Sequence, residues 1–227
     1  DRAISDTMTP GCQILIAKDG HVIYSKAFGK HNYSGNQKVK TSDLYDIASV
    51  TKVAATTLAA MKMTDDGKLI LDNEIQNYLS NIDSPEVRTI TVKELLTHQS
   101  GLQANMPIGD YIWKNRRNRP DCNTVFCTQK QNHFQIPITK NLYFSDLHKE
   151  NIWRRVFQLE VGDKGTYIYS DVNFNILQKI IEENEKTVLD EYMYQNFFKP
   201  LGMERVGYLP LRTFNKHEIV PTEEDEK

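Results

Sequence analysis

The chain has 227 residues, which suits one large domain or two small ones at roughly 150 residues each. Its 28 Lys and Arg against 30 Asp and Glu leave a formal net charge of -2, with no basic excess to bind phosphates, so nucleic acid is a poor partner. An aromatic content of 10% argues against disorder, and no apolar run nears the ~20 residues that cross a bilayer.

The first residues, Asp1-Arg2-Ala3-Ile4-Ser5-Asp6, carry neither a basic nor an apolar region of the kind a signal peptide needs. Three cysteines are too few for a disulfide framework. Cys122 and Cys127 can close a small loop in an oxidising compartment, with free thiols as the simpler reading. The histidines, at 21, 31, 98, 133, 148 and 217, are too scattered for a zinc site, and no cofactor or metal is expected.

In chain order, Cys12-Gln13-Ile14-Leu15-Ile16-Ala17 and His21-Val22-Ile23-Tyr24-Ser25-Lys26-Ala27-Phe28-Gly29 flank Lys18-Asp19-Gly20, which predicts a hairpin. A helix follows over residues 49–66, crowded with small side chains (Ala54, Ala55, Thr56, Thr57, Ala59, Ala60) that let a neighbouring backbone come close, and Gly67 ends it. Thr91 and Glu94 read as a capping box opening a short helix over residues 91–98, with Gly101 as its stop. Residues 103–165 show irregular charge and no clear period. They contain Trp113, Trp153 and the run Asn115-Arg116-Arg117-Asn118-Arg119, read as a solvated loop. Apolar residues at 174, 176, 177, 180 and 181 predict an amphipathic helix over 172–184, and another is expected over 188–198, before a polar tail.

Ser49-Val50-Thr51-Lys52 is the only Ser-x-x-Lys in the chain. At a helix start, positions i and i+3 share a face, so Lys52 can reach the Ser49 hydroxyl. A serine hydroxyl is a poor nucleophile until a base takes its proton, and an ammonium cannot be that base unless burial or a cation depresses its pKa. The Ser49 backbone N–H, near a helix N-terminus, suits an oxyanion hole. The competing reading is a capping serine and a surface lysine. Tyr169, ahead of the helix at 172–184, can pass a proton between Ser49, Lys52 and a leaving group. His98, in Thr97-His98-Gln99-Ser100-Gly101, is expected to hold a turn by hydrogen bonds rather than act as a base.

Taken together in order, Pro10-Gly11-Cys12, Asp46-Ile47-Ala48-Ser49-Val50-Thr51-Lys52, Leu95 to Leu102 and Tyr169-Ser170-Asp171-Val172-Asn173 resemble the penicillin-recognising serine hydrolases. That family includes class C β-lactamases, D-Ala-D-Ala carboxypeptidases and related esterases. The chain also resembles the β-lactamase-like domain found after some bacterial β-N-acetylglucosaminidases. The resemblance implies an α/β (α+β) fold of β-lactamase/transpeptidase type: an antiparallel sheet flanked by helices, plus a mostly helical region, with a helical or irregular insertion at about 67–165. It implies Ser49 as the acylated nucleophile, Lys52 as its proton acceptor, Tyr169 as the proton relay and Asp171 as a substrate contact. A small-molecule or peptidoglycan-derived substrate, a periplasmic or envelope location and no membrane span follow from it as well.

Two departures from the family pattern stand out. Asp171 occupies a position where the family usually has Asn; an ionised carboxylate accepts hydrogen bonds but donates none, and it raises the pKa of a nearby lysine. No Lys-Thr-Gly or His-x-Gly motif follows Tyr169. On that basis residues 1–227 are expected to be the N-terminal two-thirds of one such domain, with the last sheet strands elsewhere. The activity implied is an acyl-serine hydrolase acting on a β-lactam, a D-alanyl peptide or an ester. The alternatives are a penicillin-binding module without turnover and a structural appendage to an envelope glycosidase.

Overall fold

The structure is a computed structural model that describes residues 2–106, 125–139 and 141–222. Two units emerge from it: one joins residues up to Ala48 with those from Gly202 onward, and the other is Ser49–Leu201.

In the first unit the predicted hairpin is present. Strand β1 (Gly11–Lys18) pairs antiparallel with β2 (His21–Gly29), in a register running from Gly11 opposite Gly29 to Lys18 opposite His21. Asp19 and Gly20 take φ of 50° and 76°, the left-handed pair that lets a two-residue turn follow the strand twist. Ile14, Leu15, Ile16, Val22 and Ile23 remain exposed along the hairpin. Elsewhere in this unit His31 Nε2 lies 2.8 Å from Asp43 Oδ2, both side chains being nearly inaccessible. The Lys40 N–H donates to the same oxygen at 2.7 Å. Leu44 bridges Ile219, tying the two stretches of sequence together.

The second unit carries the chemistry-bearing residues. Its first helix opens with a π-helical stretch, Lys52–Thr57, and continues as α1 (Leu58–Asp65), close to the expected span. The Thr57 hydroxyl donates to the Lys52 carbonyl at 2.8 Å, a side-chain bond that competes with the main-chain ladder and accompanies the widened turn. Ala55, Ala59, Ala60 and Met63 form the buried stripe. Next, α2 (Val92–Leu96) carries the predicted capping box: Glu94 N–H donates to Thr91 Oγ1 at 3.1 Å and Thr91 N–H to Glu94 Oε2 at 2.7 Å.

The end of α2 departs from the sequence expectation. It stops before Gly101, because His98 itself adopts a left-handed φ of 56° and Gln99 N–H closes back onto the Glu94 carbonyl at 2.8 Å. Gly101 serves another purpose. At φ 76° a Cβ there would sit 2.5 Å from the Gly162 carbonyl oxygen, so only glycine admits so close a neighbour.

Part of the stretch read as irregular is ordered. Strands β3 (Phe126–Cys127), β4 (Ile136–Thr139) and β5 (Leu142–Phe144) form an antiparallel sheet in the order β3-β5-β4, followed by α3 (Asp146–Val156). Cys127 is buried and disulfide-bonded, which corrects the free-thiol reading for that residue, whereas Cys12 is free. Cys122, Trp113 and the basic run at 115–119 lie outside the described residues.

Helix α4 (Asp171–Glu185) is the centre of this unit's core. Val172, Ile176, Leu177, Ile180 and Ile181 are fully buried, as the apolar spacing required. It packs against α1, α2 and α5 (Leu189–Met193), the last running on into a π-helical turn, Tyr194–Phe198. Among the described residues no helix is long and apolar enough to cross a membrane.

Candidate active site

The nucleophile candidate sits where the backbone is bent. Ala48, just before Ser49, holds a left-handed φ of 44°. For a residue with a Cβ that conformation costs about 1 kcal/mol or more, and such strain gathers at functional sites. The turn delivers Ser49 to the start of the helix with its residue surface exposed.

Three side chains from two distant parts of the sequence converge there. Lys52, one helical turn on, donates from Nζ to Ser49 Oγ at 3.0 Å. Tyr169, 120 positions away, donates its hydroxyl to the same Oγ at 2.7 Å. Asp171 Oδ1 lies 2.7 Å from Lys52 Nζ. That oxygen is sheltered from solvent and is held by the ion pair alone, without a well-angled hydrogen bond. Of the four residues singled out in the sequence, the structure brings all four together.

Their electrostatics follow from this packing. Burial pulls the Lys52 ammonium down, but its bonds to Asp171 and then Tyr169 outweigh that, and the net shift is upward from 10.5. Tyr169 moves the other way, below 10.0, first through its bond with Lys52 and then through that with Ser49. The sequence expectation made Lys52 the proton acceptor. In the structure the Asp171 contact favours the charged form of Lys52, and the phenol is the group made more acidic.

A second layer holds Tyr169 and Asp171 in place. His98, buried beside them, accepts at Nδ1 from the Ser170 N–H at 3.1 Å and faces the Asn173 amide nitrogen at 3.3 Å. Its ring centroid is 4.6 Å from that of Tyr169 and 5.2 Å from that of Phe174. Burial, then the Lys52 charge, push the imidazole pKa below 6.5 against an opposing pull from Asp171. His98 is therefore neutral near pH 7 and acts as an acceptor that orients the loop, as the sequence predicted.

Ser100, also buried, donates to Asn173 Oδ1 at 2.6 Å. The Ser170 hydroxyl turns to the Gln103 carbonyl at 2.6 Å, and the Asp171 N–H donates to Ala104 O at 2.8 Å. The segment around residues 98–104 thus clasps the approach to α4 along its length.

Sequence reasoning assigned no role to Ser100, Ser170 or Asn173. The signal available was Asn173 itself, a polar residue set in the apolar stripe of an amphipathic helix. At zero exposure such an amide must be paired within the fold.

Replacing Asn173 with Ala would leave the Ser100 hydroxyl without the acceptor for its proton and remove the amide facing His98. The expected loss is about 2–4 kcal/mol from unsatisfied buried groups. For a chain of this size that lowers Tm by roughly 5–15 °C in thermal unfolding. A Tm within about 1 °C of the parent would show that the network contributes nothing to stability.

Comparison with known proteins adds to this geometry. The family described as Beta-lactamase matches residues 1–213. An Escherichia coli O157:H7 protein named as a candidate D-alanyl-D-alanine carboxypeptidase is 32% identical, the match covering 98% of this chain and 50% of that protein. Among solved structures, the octameric penicillin-binding protein homologue from Pyrococcus abyssi superposes with a TM-score of 0.66 at 26% identity, over 89% of this chain and 41% of that one. A class C beta lactamase gives 0.64 at 19% identity, over 89% and 47%. These likenesses give the α/β, β-lactamase/transpeptidase-like fold expected from the motifs. The chain spans about half the length of the curated relatives it matches.

Proposed function

The chain belongs to the Beta-lactamase family, and on that premise we propose that it is the nucleophile-bearing part of an acyl-serine hydrolase acting on a β-lactam, a D-alanyl peptide or an ester. One observation carries the reading: the Tyr169 hydroxyl at 2.7 Å and Lys52 Nζ at 3.0 Å converge on the same Ser49 oxygen. A capping serine with a surface lysine has no need of that arrangement.

In the proposed reaction Ser49 Oγ attacks the acyl carbonyl while its proton passes to the ionised Tyr169 oxygen. The Lys52 ammonium stabilises that phenolate and the developing charge. The Ser49 N–H, at the helix start, supports the oxyanion. The tetrahedral intermediate expels the amine or alkoxide, which takes the proton from Tyr169, and leaves an ester on Ser49. A water molecule then adds to the ester carbonyl, Tyr169 accepts its proton and returns it to Ser49 Oγ, and the acid is released. Substrates of this class reside in the bacterial cell envelope, and we place the protein there on the same reading.

A second reading is a binding module that acylates and does not turn over. The Lys52–Asp171 contact at 2.7 Å favours it, because the Asp171 charge opposes ionisation of the Tyr169 hydroxyl that must take the proton of the deacylating water.

The test uses the full-length natural protein, incubated with a fluorescent penicillin and separately with an activated ester, then read by intact mass and peptide mapping. The hydrolase reading expects an adduct on the peptide containing Ser49 that decays as product accumulates. An adduct that persists supports the second reading. An adduct mapping elsewhere, or none with either probe, overturns both.

A further inference from the structure

We propose that Asp171 sets the charge selectivity of this site: by offsetting the pull of the Lys52 cation on anions, it makes the enzyme prefer acyl donors that lack a carboxylate beside the scissile carbonyl. The inference deepens the acyl-serine reading and rests on it.

Among the described side chains that touch Ser49, Lys52 or Tyr169, the only cation is Lys52. The neighbouring imidazole is neutral, since its Nδ1 is committed as an acceptor from Ser170 and burial opposes its protonation. A substrate poised with its carbonyl at Ser49 Oγ therefore senses chiefly the Lys52 charge. With an amide at position 171 that charge would stand alone and attract a substrate carboxylate.

In this chain Asp171 Oδ1 lies 2.7 Å from Nζ, so beyond the reacting atoms the pair acts as a dipole whose attraction for an anion is weaker than that of a lone cation. The Asp171 side chain is 50% exposed, so its field reaches the cleft. With the Asn105 amide turned to satisfy its neighbours, its nitrogen donates to Oδ2 at 3.3 Å, which also engages the second oxygen as an acceptor. A carboxylate can only accept from whatever approaches it. Esters, carboxamides and donors that present an N–H toward position 171 fit these demands. A donor ending in a free carboxylate loses its counter-charge and gains a repulsion.

The experiment compares two acyl donors that differ only in a free carboxylate or a carboxamide next to the scissile bond, on the full-length protein. The readout is the ratio of their kcat/KM values, in which damage common to both probes divides out. Asp171→Asn is expected to raise the carboxylate-to-carboxamide ratio by about 5- to 30-fold, the scale of one unit charge a few ångströms away in a partly solvated site. Asp171→Glu, which keeps the charge, should hold the parent ratio. If Asp171→Asn fails to fold, Asp171→Ser removes the same charge with a smaller group and is read in the same way. A ratio unchanged in the neutral variants, with both probes still acylating Ser49, overturns this inference and leaves the hydrolase reading intact. Failure of both probes to acylate Ser49 in the parent protein overturns the hydrolase reading, and this inference with it.

Discussion

Changing Ser49 to Ala is expected to abolish the covalent adduct and to lower any hydrolysis by roughly 10^4- to 10^6-fold, the scale seen when a nucleophile is removed from a site that works as a unit. Among the described residues the hydroxyl is the group on which the Lys52 and Tyr169 contacts both converge. The loss should be chemical rather than structural. Ser49 is exposed, and exposed substitutions away from buried features change stability by only about 0.5 kcal/mol. Equal circular dichroism and Tm in parent and variant, with labelling lost from the variant alone, is the outcome that fits. Undiminished labelling of Ser49→Ala would place the nucleophile elsewhere.

The second large effect is at Lys52. Lys52→Met keeps the length of the side chain and removes its charge and donors, and acylation near pH 7 should fall by about 10^2- to 10^4-fold. The pH profile gives a sharper readout. In the proposed mechanism Tyr169 works in its ionised form, and its pKa lies below 10.0 chiefly because of its bond with Lys52. In the parent protein the acylation rate of an uncharged ester therefore rises with pH and levels off above that lowered pKa. Without Lys52 the tyrosine pKa climbs back, so the rising limb should move to higher pH. A variant that loses rate with its limb unmoved would mean that Lys52 acts in some way other than through Tyr169. The limb describes the Tyr169–Lys52 pair rather than either residue alone, so the shift between variants carries more meaning than its absolute position.

Much of this was legible in the linear sequence where a local rule applied. The Asp19-Gly20 turn, the Thr91–Glu94 capping box and the apolar period of α4 each depend on residues a few positions apart, and each is found as expected. The motif residues Ser49 and Lys52 belong to the same class, since one helical turn suffices to bring them together. The end of α2 was misjudged because two residues compete for the stop. Gly101 is the stronger signal, yet His98 takes the left-handed turn, its ring being held by Ser170 and Asn173. The small sheet β3-β5-β4 escaped notice because its strands run only two to four residues, with Pro137 inside one of them. Such pairing is too short to show a period. Helix α3 left a signal that the polar surroundings masked: an acidic first turn at Asp146 and a basic last turn at Arg154 and Arg155.

The sequence by itself determined which residue types stand at the helix starts where the proposed chemistry is placed. Only the tertiary structure decided which way the acidities of Lys52 and Tyr169 move. That outcome rests on the 2.7 Å contact between Lys52 and Asp171 and on the meeting of Tyr169 with Ser49 across 120 positions. An acidity reflects the charges within a few ångströms, and those neighbours come from chain crossings that no local spacing encodes.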